Sequence, residues 1–189
     1  MFYMANVVIV VGTPGAGKTS IVSALSKDYK VVNIGTEMLK ATEGKVADRD
    51  KLRTLPFEDI RYYRAKALVN IDHMPGNIIF DTHIAVKSGN RFVPGFSAEE
   101  IKELKNLKSI IYIDATPEEI RMRRERDQSR RRDMDTPEEI AEQRDISINF
   151  ISTYAAYFGI PIYILKNKEN KLDESISEAE RICKESFSD

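Results

Sequence analysis

A three-layer α/β fold, with a five-stranded parallel sheet and helices on both faces, is what this chain of 189 residues predicts. Three observations lead there. Five short apolar runs, at 7–11, 31–34, 78–80, 110–113 and 162–165, are rich in Val and Ile and lack polar alternation. Strands buried on both faces of a parallel sheet read this way. Helix-like or loop-like stretches separate the runs, the alternation from which layered α/β domains are built. No linker long enough to divide the chain appears, so residues 1–189 read as one domain.

Composition supports the same reading. Hydrophobic residues make up 42% and charged residues 31%, the balance of a soluble globular protein. A domain of this size buries roughly 70% of its unfolded surface and needs no disulfide or metal to fold. Lys plus Arg number 29 against 30 Asp plus Glu, so bulk charge draws the chain to neither nucleic acid nor membrane, and any anion site must come from local clustering. With Cys183 alone, and His73 and His83 the only imidazoles, thiolate zinc chemistry is excluded. The first apolar run is too short to span a bilayer and lacks a basic leader, which predicts a cytoplasmic protein.

The elements follow in order. The run at 7–11 leads into a glycine-rich loop and a helix-compatible stretch over 20–27. After the second run, residues 35–55 are rich in charge and poor in apolar periodicity. A helix is expected from Pro56 to His73, with Phe57, Ile60, Tyr63, Ala67, Leu68 and Ile71 on a 3.6-residue period. Thr116-Pro117-Glu118-Glu119 and Thr136-Pro137-Glu138-Glu139 both read as helix starts: a capping hydroxyl, a first-turn proline and acids suited to the dipole. A closing helix is expected over 172–187. Tyr154, Tyr157 and Phe158 read as the packed face of a helix, Cys183 as a buried small hydrophobe, and His73 as a helix-end residue. Two segments break the rhythm, 35–55 and the arginine-rich 127–135. Each reads either as surface loop or as an element that covers substrate.

The glycine-rich loop carries the chemistry. Gly12-Thr13-Pro14-Gly15-Ala16-Gly17-Lys18-Thr19 satisfies G-x-x-x-x-G-K-[ST] at every fixed position, after a strand and before a helix. Glycines let the backbone curl so that N–H groups point at phosphate oxygens. The following helix N-terminus, which includes Ser20, adds partial positive charge. Lys18 supplies a full charge to the β- and γ-phosphates, and the Thr19 hydroxyl is placed to ligate Mg²⁺. Asp81, closing the apolar run at 78–80, is the matching metal-site acid. A nucleoside triphosphate with Mg²⁺ is therefore the expected ligand.

The class of enzyme follows from what else is present. A GTPase should carry N-K-x-D, but Asn167-Lys168-Glu169-Asn170 lacks the aspartate. Phosphoryl transfer between two small molecules needs several cations around the moving group and exclusion of water. Residues 121–133 hold seven arginines, Arg121, Arg123, Arg124, Arg126, Arg130, Arg131 and Arg132, against three acids. Arginine's planar fork suits phosphate. Arg123, Arg130 and Arg132 are the candidates for the transferring group, while Arg121 and Arg131 read equally well as solvated surface. An acceptor site is expected in the other irregular segment, where Arg49 and Arg53 stand four apart, Lys40 adds a cation, and Gly35-Thr36 follow the second strand.

These residues, together with Asn33-Ile34-Gly35-Thr36, Asp48-Arg49-Asp50-Lys51-Leu52-Arg53, Asp81-Thr82-His83, Val93-Pro94-Gly95-Phe96 and Arg126-Asp127-Gln128-Ser129-Arg130-Arg131-Arg132-Asp133, resemble the archaeal-type adenylate kinases. The matches keep the family's order and span nearly the whole chain. The resemblance implies a P-loop NTPase fold and reversible Mg²⁺-dependent transfer of the ATP γ-phosphoryl group to AMP, giving ADP twice over. It implies that the P-loop holds ATP, and that Thr36 and Arg53 lie at the AMP site with Arg49 beside them. It also implies that residues 35–73 form the AMP-binding segment, and that 127–135 form a short lid bringing Arg123, Arg130 and Arg132 over ATP. Some members of the family form trimers, so a homo-oligomer is an expectation of the resemblance alone. The bacterial pattern places Gly-Phe-Pro-Arg after the strand-end Asp. Here Thr82-His83-Ile84 stand there, and His83 is either a partial substitute for the missing arginine or structural. Arg144 sits at a spacing suited to a phosphate ligand in bacterial relatives. A kinase for another monophosphate, or an ATP-dependent RNA-binding assembly factor, remains an alternative; against RNA, no aromatic residue interleaves the arginines of 121–133.

Overall fold

A computed structural model describes residues 4–89, 91–127 and 135–188. Seven strands and eight helices occur among them: β1 Asn6–Gly12, α1 Lys18–Leu25, β2 Lys30–Asn33, α2 Ile34–Ala41, α3 Arg49–Arg53, α4 Phe57–Asp72, β3 Asn77–Asp81, β4 Ala85–Ser88, β5 Arg91–Pro94, α5 Ala98–Ile101, β6 Leu107–Asp114, α6 Pro117–Arg126, α7 Pro137–Phe158, β7 Ile162–Lys166 and α8 Leu172–Ser188. The order β2-β3-β1-β6-β7 makes one five-stranded sheet, parallel throughout.

Both faces of that sheet are buried, which is why its strands carry continuous apolar runs. Val7, Ile9 and Val11 of β1 point with Ile78, Phe80, Ile110 and Tyr112 into one core, closed by Ile151 and Tyr154 of α7. Val8 and Val10 point the other way, with Ile79, Ile111 and Ile113, onto Ile21, Leu25, Ile120, Ile182 and Cys183. The Cys183 thiol is accordingly pushed up to about 12 by burial, with Glu180 adding to the shift, so it is an inert packing group.

Register places the chemistry. In adjacent parallel strands Asn33 faces Asp81, Val10 faces Asp81, and Gly12 faces Ile113. The C-terminal ends of β1, β2, β3 and β6 therefore share one edge, where open α/β sheets bind ligands. The Thr116 and Thr136 starts are both complete capping boxes, with each hydroxyl accepting the N–H three residues on and Glu119 or Glu139 reaching back.

Several expectations need correction. Segment 35–55 is largely helical: α2 is capped by the Asn33 side chain and α3 by that of Asp48, so local capping supplies what apolar periodicity lacks. Its Met38 and Leu52 form a small cluster with Ala67 of α4 rather than joining either face of the sheet. Pro56 is the cap of α4, not a first-turn residue, and Phe57 beside it is exposed. Of the three aromatics expected to pack on α7, Tyr154 is buried and Phe158 half-buried, but Tyr157 is exposed with the Lys102 ammonium 5.0 Å over its ring. The antiparallel β4–β5 hairpin is an addition to the expected sheet. Its return explains Pro94-Gly95: a Cβ on Gly95 would lie 2.0 Å from the His83 carbonyl oxygen, so the two strands close there only over glycine.

Candidate active site

The P-loop is held by its carbonyls. Arg124 Nε donates to Pro14 O at 2.9 Å, and Ala16 O accepts from both Asn167 Nδ2 at 2.8 Å and Arg123 Nη1 at 3.2 Å. Thr13 Oγ1 shares a 2.7 Å hydrogen bond with the buried Tyr112 hydroxyl. Within the loop Ala16 N–H donates to Thr13 O at 2.9 Å, and α1 begins without a side-chain cap, which leaves its N-terminus open to an anion. Gly17 is required twice over. It caps α1 at φ 93°, and a Cβ there would stand 2.2 Å from Asn167 Nδ2.

Lys18 and Asp81 form an ion pair across the β1–β3 edge, both side chains mostly covered. The other Asp81 oxygen accepts from Asn33 Nδ2 at 2.9 Å. Asn33 Oδ1 in turn accepts from Arg49 Nη2 at 2.6 Å, and Arg49 also donates to Thr36 Oγ1. The acceptor-side candidates Thr36 and Arg49 are thus brought within one hydrogen-bonded chain of the P-loop lysine. Both are exposed, as are Thr19 and Ser20 at the start of α1. Lys40 pairs with the buried Glu37 at 2.8 Å while its own side chain stays 65% exposed, so its ammonium remains open to solvent. His83 is exposed two residues beyond Asp81.

The arginine segment divides. Arg123 donates to Asn167 O at 2.8 Å as well as to Ala16 O, and its Nε meets Glu169 at 3.2 Å, so it stands under the P-loop. Arg124 is buried, bridging Pro14 O and Asp135 at 2.8 Å. Asp135 also accepts from Lys87 of β4. Burial opposes its charge, but hydrogen bonds from Lys87 and Arg124 outweigh that and hold its pKa low. Arg121 pairs with Glu125 on the helix surface and Arg126 with Glu169. Arg130, Arg132 and most of the expected lid lie outside the described residues, as does the Arg53 side chain.

Arg144 is engaged by Asp114, with Nε at 2.7 Å and Nη2 at 2.9 Å. Lys166 donates to the same carboxylate. Burial raises the Asp114 pKa, yet the hydrogen bonds from Arg144 and Lys166 win and hold it below the usual carboxylate value. A cleft of about 300 Å³ opens there, lined by Asp114, Thr116, Glu119, Arg144, Lys166 and Asn167 among others. No P-loop residue lines it.

Asn33, Tyr112, Arg124 and Asn167 are the site residues that sequence reasoning did not single out for these roles. Each acts through a partner distant in sequence. The one legible hint is that Asn33 ends a strand and caps a helix.

Comparison with known proteins places this geometry. An AAA domain family model matches residues 11–141. The adenylate kinase of Methanocaldococcus jannaschii is 35% identical over 190 aligned positions, covering 95% of this chain and 98% of that protein. That of Pyrococcus horikoshii is 38% identical, covering 95% of each. Among solved structures, shikimate kinase from Acinetobacter baumannii superposes with a TM-score of 0.59 at 15% identity, covering 96% of this chain and 94% of that one, which shows a shared fold. A P-loop backed by the strand-end carboxylate Asp81, on a chain aligned with these kinases from end to end, belongs to the archaeal adenylate kinase family.

Proposed function

We infer that the chain transfers the γ-phosphoryl group of ATP to AMP, reversibly, giving ADP from both. The observation that carries this is the shared shelf: Lys18 and Asp81 on the donor side stand one amide away from Arg49 and Thr36 on the acceptor side. Donor phosphates lie on the uncapped N-terminus of α1, with Gly12 to Gly17 wrapped around them and Ser20 on the first turn. Lys18 leaves Asp81 for the β- and γ-phosphates. The acceptor phosphate is taken by Arg49, with Thr36, Lys40, Arg53 and His83 around it. Arg123 keeps the loop in shape, and Arg130 and Arg132 supply the further cations that spread charge over the moving group. No side chain need act as a base, since positioning and charge carry most of such a transfer.

The donor set fits Mg²⁺. Among the described residues no cluster of three or more His, Cys, Asp or Glu side chains is present. One hydroxyl, Thr19, and one carboxylate, Asp81, suit an ion that keeps water and takes its remaining ligands from phosphates. When bound, the ion neutralises charge on the β- and γ-phosphates.

As a working whole the chain is one domain, with 35–73 as the AMP-binding segment and 127–135 as the lid. It acts in the cytoplasm, and no described helix is long and apolar enough to cross a membrane. A homo-oligomer, trimeric by family resemblance, is checked by sedimentation. The RNA-binding alternative gains no support, because Arg121, Arg123, Arg124 and Arg126 each pair with a carboxylate of this chain.

The test is product formation from Mg-ATP with AMP, CMP, UMP, GMP or no acceptor. ADP formed at twice the rate of ATP loss, with AMP strongly preferred, is expected. Preference for another monophosphate would change the acceptor and keep the chemistry. Hydrolysis indifferent to every acceptor would overturn the assignment.

A further inference from the structure

Asn33 is the residue at which the two halves of the site meet. It ends β2 opposite Asp81. Its side-chain oxygen accepts Gly35 N–H at 3.1 Å and Arg49 Nη2 at 2.6 Å. Its nitrogen donates to Asp81 Oδ2 at 2.9 Å, with the Asp81 main-chain oxygen at 3.4 Å. The amide fits only this way round, because two donors face the oxygen and two acceptors face the nitrogen. Asp81 Oδ1 accepts from Lys18. A continuous chain, Arg49–Asn33–Asp81–Lys18, therefore joins an exposed guanidinium to the P-loop ammonium through one half-buried neutral amide.

We propose that Asn33 is a positioning residue that couples the acceptor and donor sites. The proposal rests on the phosphotransfer reading above. An amide held between a cation and a carboxylate is polarised by both, so each of its bonds depends on the other. An acceptor phosphate that engages Arg49 draws charge away from Asn33 Oδ1. Asp81 then receives a weaker hydrogen bond, and the Lys18–Asp81 pair that the donor must open is altered. Withdrawal of Lys18 by the donor acts back along the same chain. By linkage, each substrate changes the other's affinity by one common factor.

The alternative is that Asn33 serves only as the cap of α2. Two substitutions separate these roles. Asn33→Ser keeps a good cap but is too short to span Arg49 and Asp81 together. Asn33→Asp keeps the oxygen for Gly35 and Arg49 but has no N–H for Asp81. The dissociation constant of AMP is measured by calorimetry with and without a saturating non-hydrolysable ATP analogue and Mg²⁺, and thermal midpoints check that each variant is folded. In the wild type the two constants are expected to differ about fivefold or more. In both variants the ratio is expected to fall toward one, by at least about threefold. A ratio of one in the wild type, or an unchanged ratio in either folded variant, overturns the proposal. A wild-type protein that makes no ADP from ATP and AMP would instead overturn the phosphotransfer reading, so the two failures are told apart.

Discussion

The donor and acceptor halves of the site are built differently. The P-loop is braced from below by interior groups: Tyr112 on Thr13, Arg124 on Pro14, and Asn167 with Arg123 on Ala16. It also follows directly on β1, whose side chains from Val7 to Val11 are wholly buried. The proposed acceptor shelf is carried by two short helices over a small cluster of three buried apolar residues, and its candidate side chains, Thr36, Lys40 and Arg49, are exposed and bonded mainly to one another or to near neighbours. A loop that must present N–H groups to a polyphosphate gains from rigidity, because preorganised dipoles cost no reorganisation during reaction. A shelf that must admit and release a second substrate gains from the low local stability that few buried contacts give.

The largest effect expected from breaking this contrast is at Lys18. Lys18→Ala removes the donor-side charge and should cut turnover by about a hundredfold or more, with the thermal midpoint shifted by only a few degrees; full activity would remove Lys18 from its role. Next comes Arg49→Ala. Loss of a charge-assisted contact to phosphate should raise the KM for AMP about tenfold, while the KM for ATP moves far less; equal changes in both would mean that Arg49 does not belong to the acceptor side.

Smaller again is Tyr112→Phe, which deletes one brace of the P-loop and nothing that touches substrate. One buried hydrogen bond is worth about 1 kcal/mol, so ATP affinity should weaken a fewfold with AMP affinity nearly unchanged. The smallest effect lies outside the shelf, at Asp114. Its folded pKa is held below the unfolded value, so its contribution to stability is full above about pH 4 and is lost as pH falls through the lowered folded value. Denaturant titrations of Asp114→Asn should therefore show a flatter fall in stability below that pH than the wild type. An identical acid limb would mean that Arg144 and Lys166 do not tune this group.

How far the sequence could be read tracks the same division. The five strands were legible because burial on both faces writes itself as unbroken Val and Ile, and the P-loop because phosphate binding restricts residue type at fixed spacing. The braces were not. Tyr112 lies 99 residues from Thr13 and Asn167 lies 151 from Ala16, and neither spacing leaves a local pattern. Arg124 reads in sequence like its neighbours on a charged surface, yet it is buried because α6 turns it onto Pro14 and Asp135. The β4–β5 hairpin leaves little trace in the sequence because its strands are four residues each and carry Lys87 and Arg91. Tyr157 reads as packed from its neighbours, but one helical step turns it outward. Helix α2 was masked by charge and betrayed only by its cap.

The hold of Asn167 on Ala16 has a consequence for biosynthesis. The phosphate-binding sequence leaves the ribosome early, but the amide that fastens it is made more than a hundred residues later, after the fifth sheet strand. Contacts so distant along the chain close late in folding. A nascent polypeptide halted before residue 167 would carry the whole glycine motif with Tyr112, Arg123 and Arg124 and still lack the Asn167 brace, so nucleotide capture on the ribosome should reach full strength only once that amide has emerged.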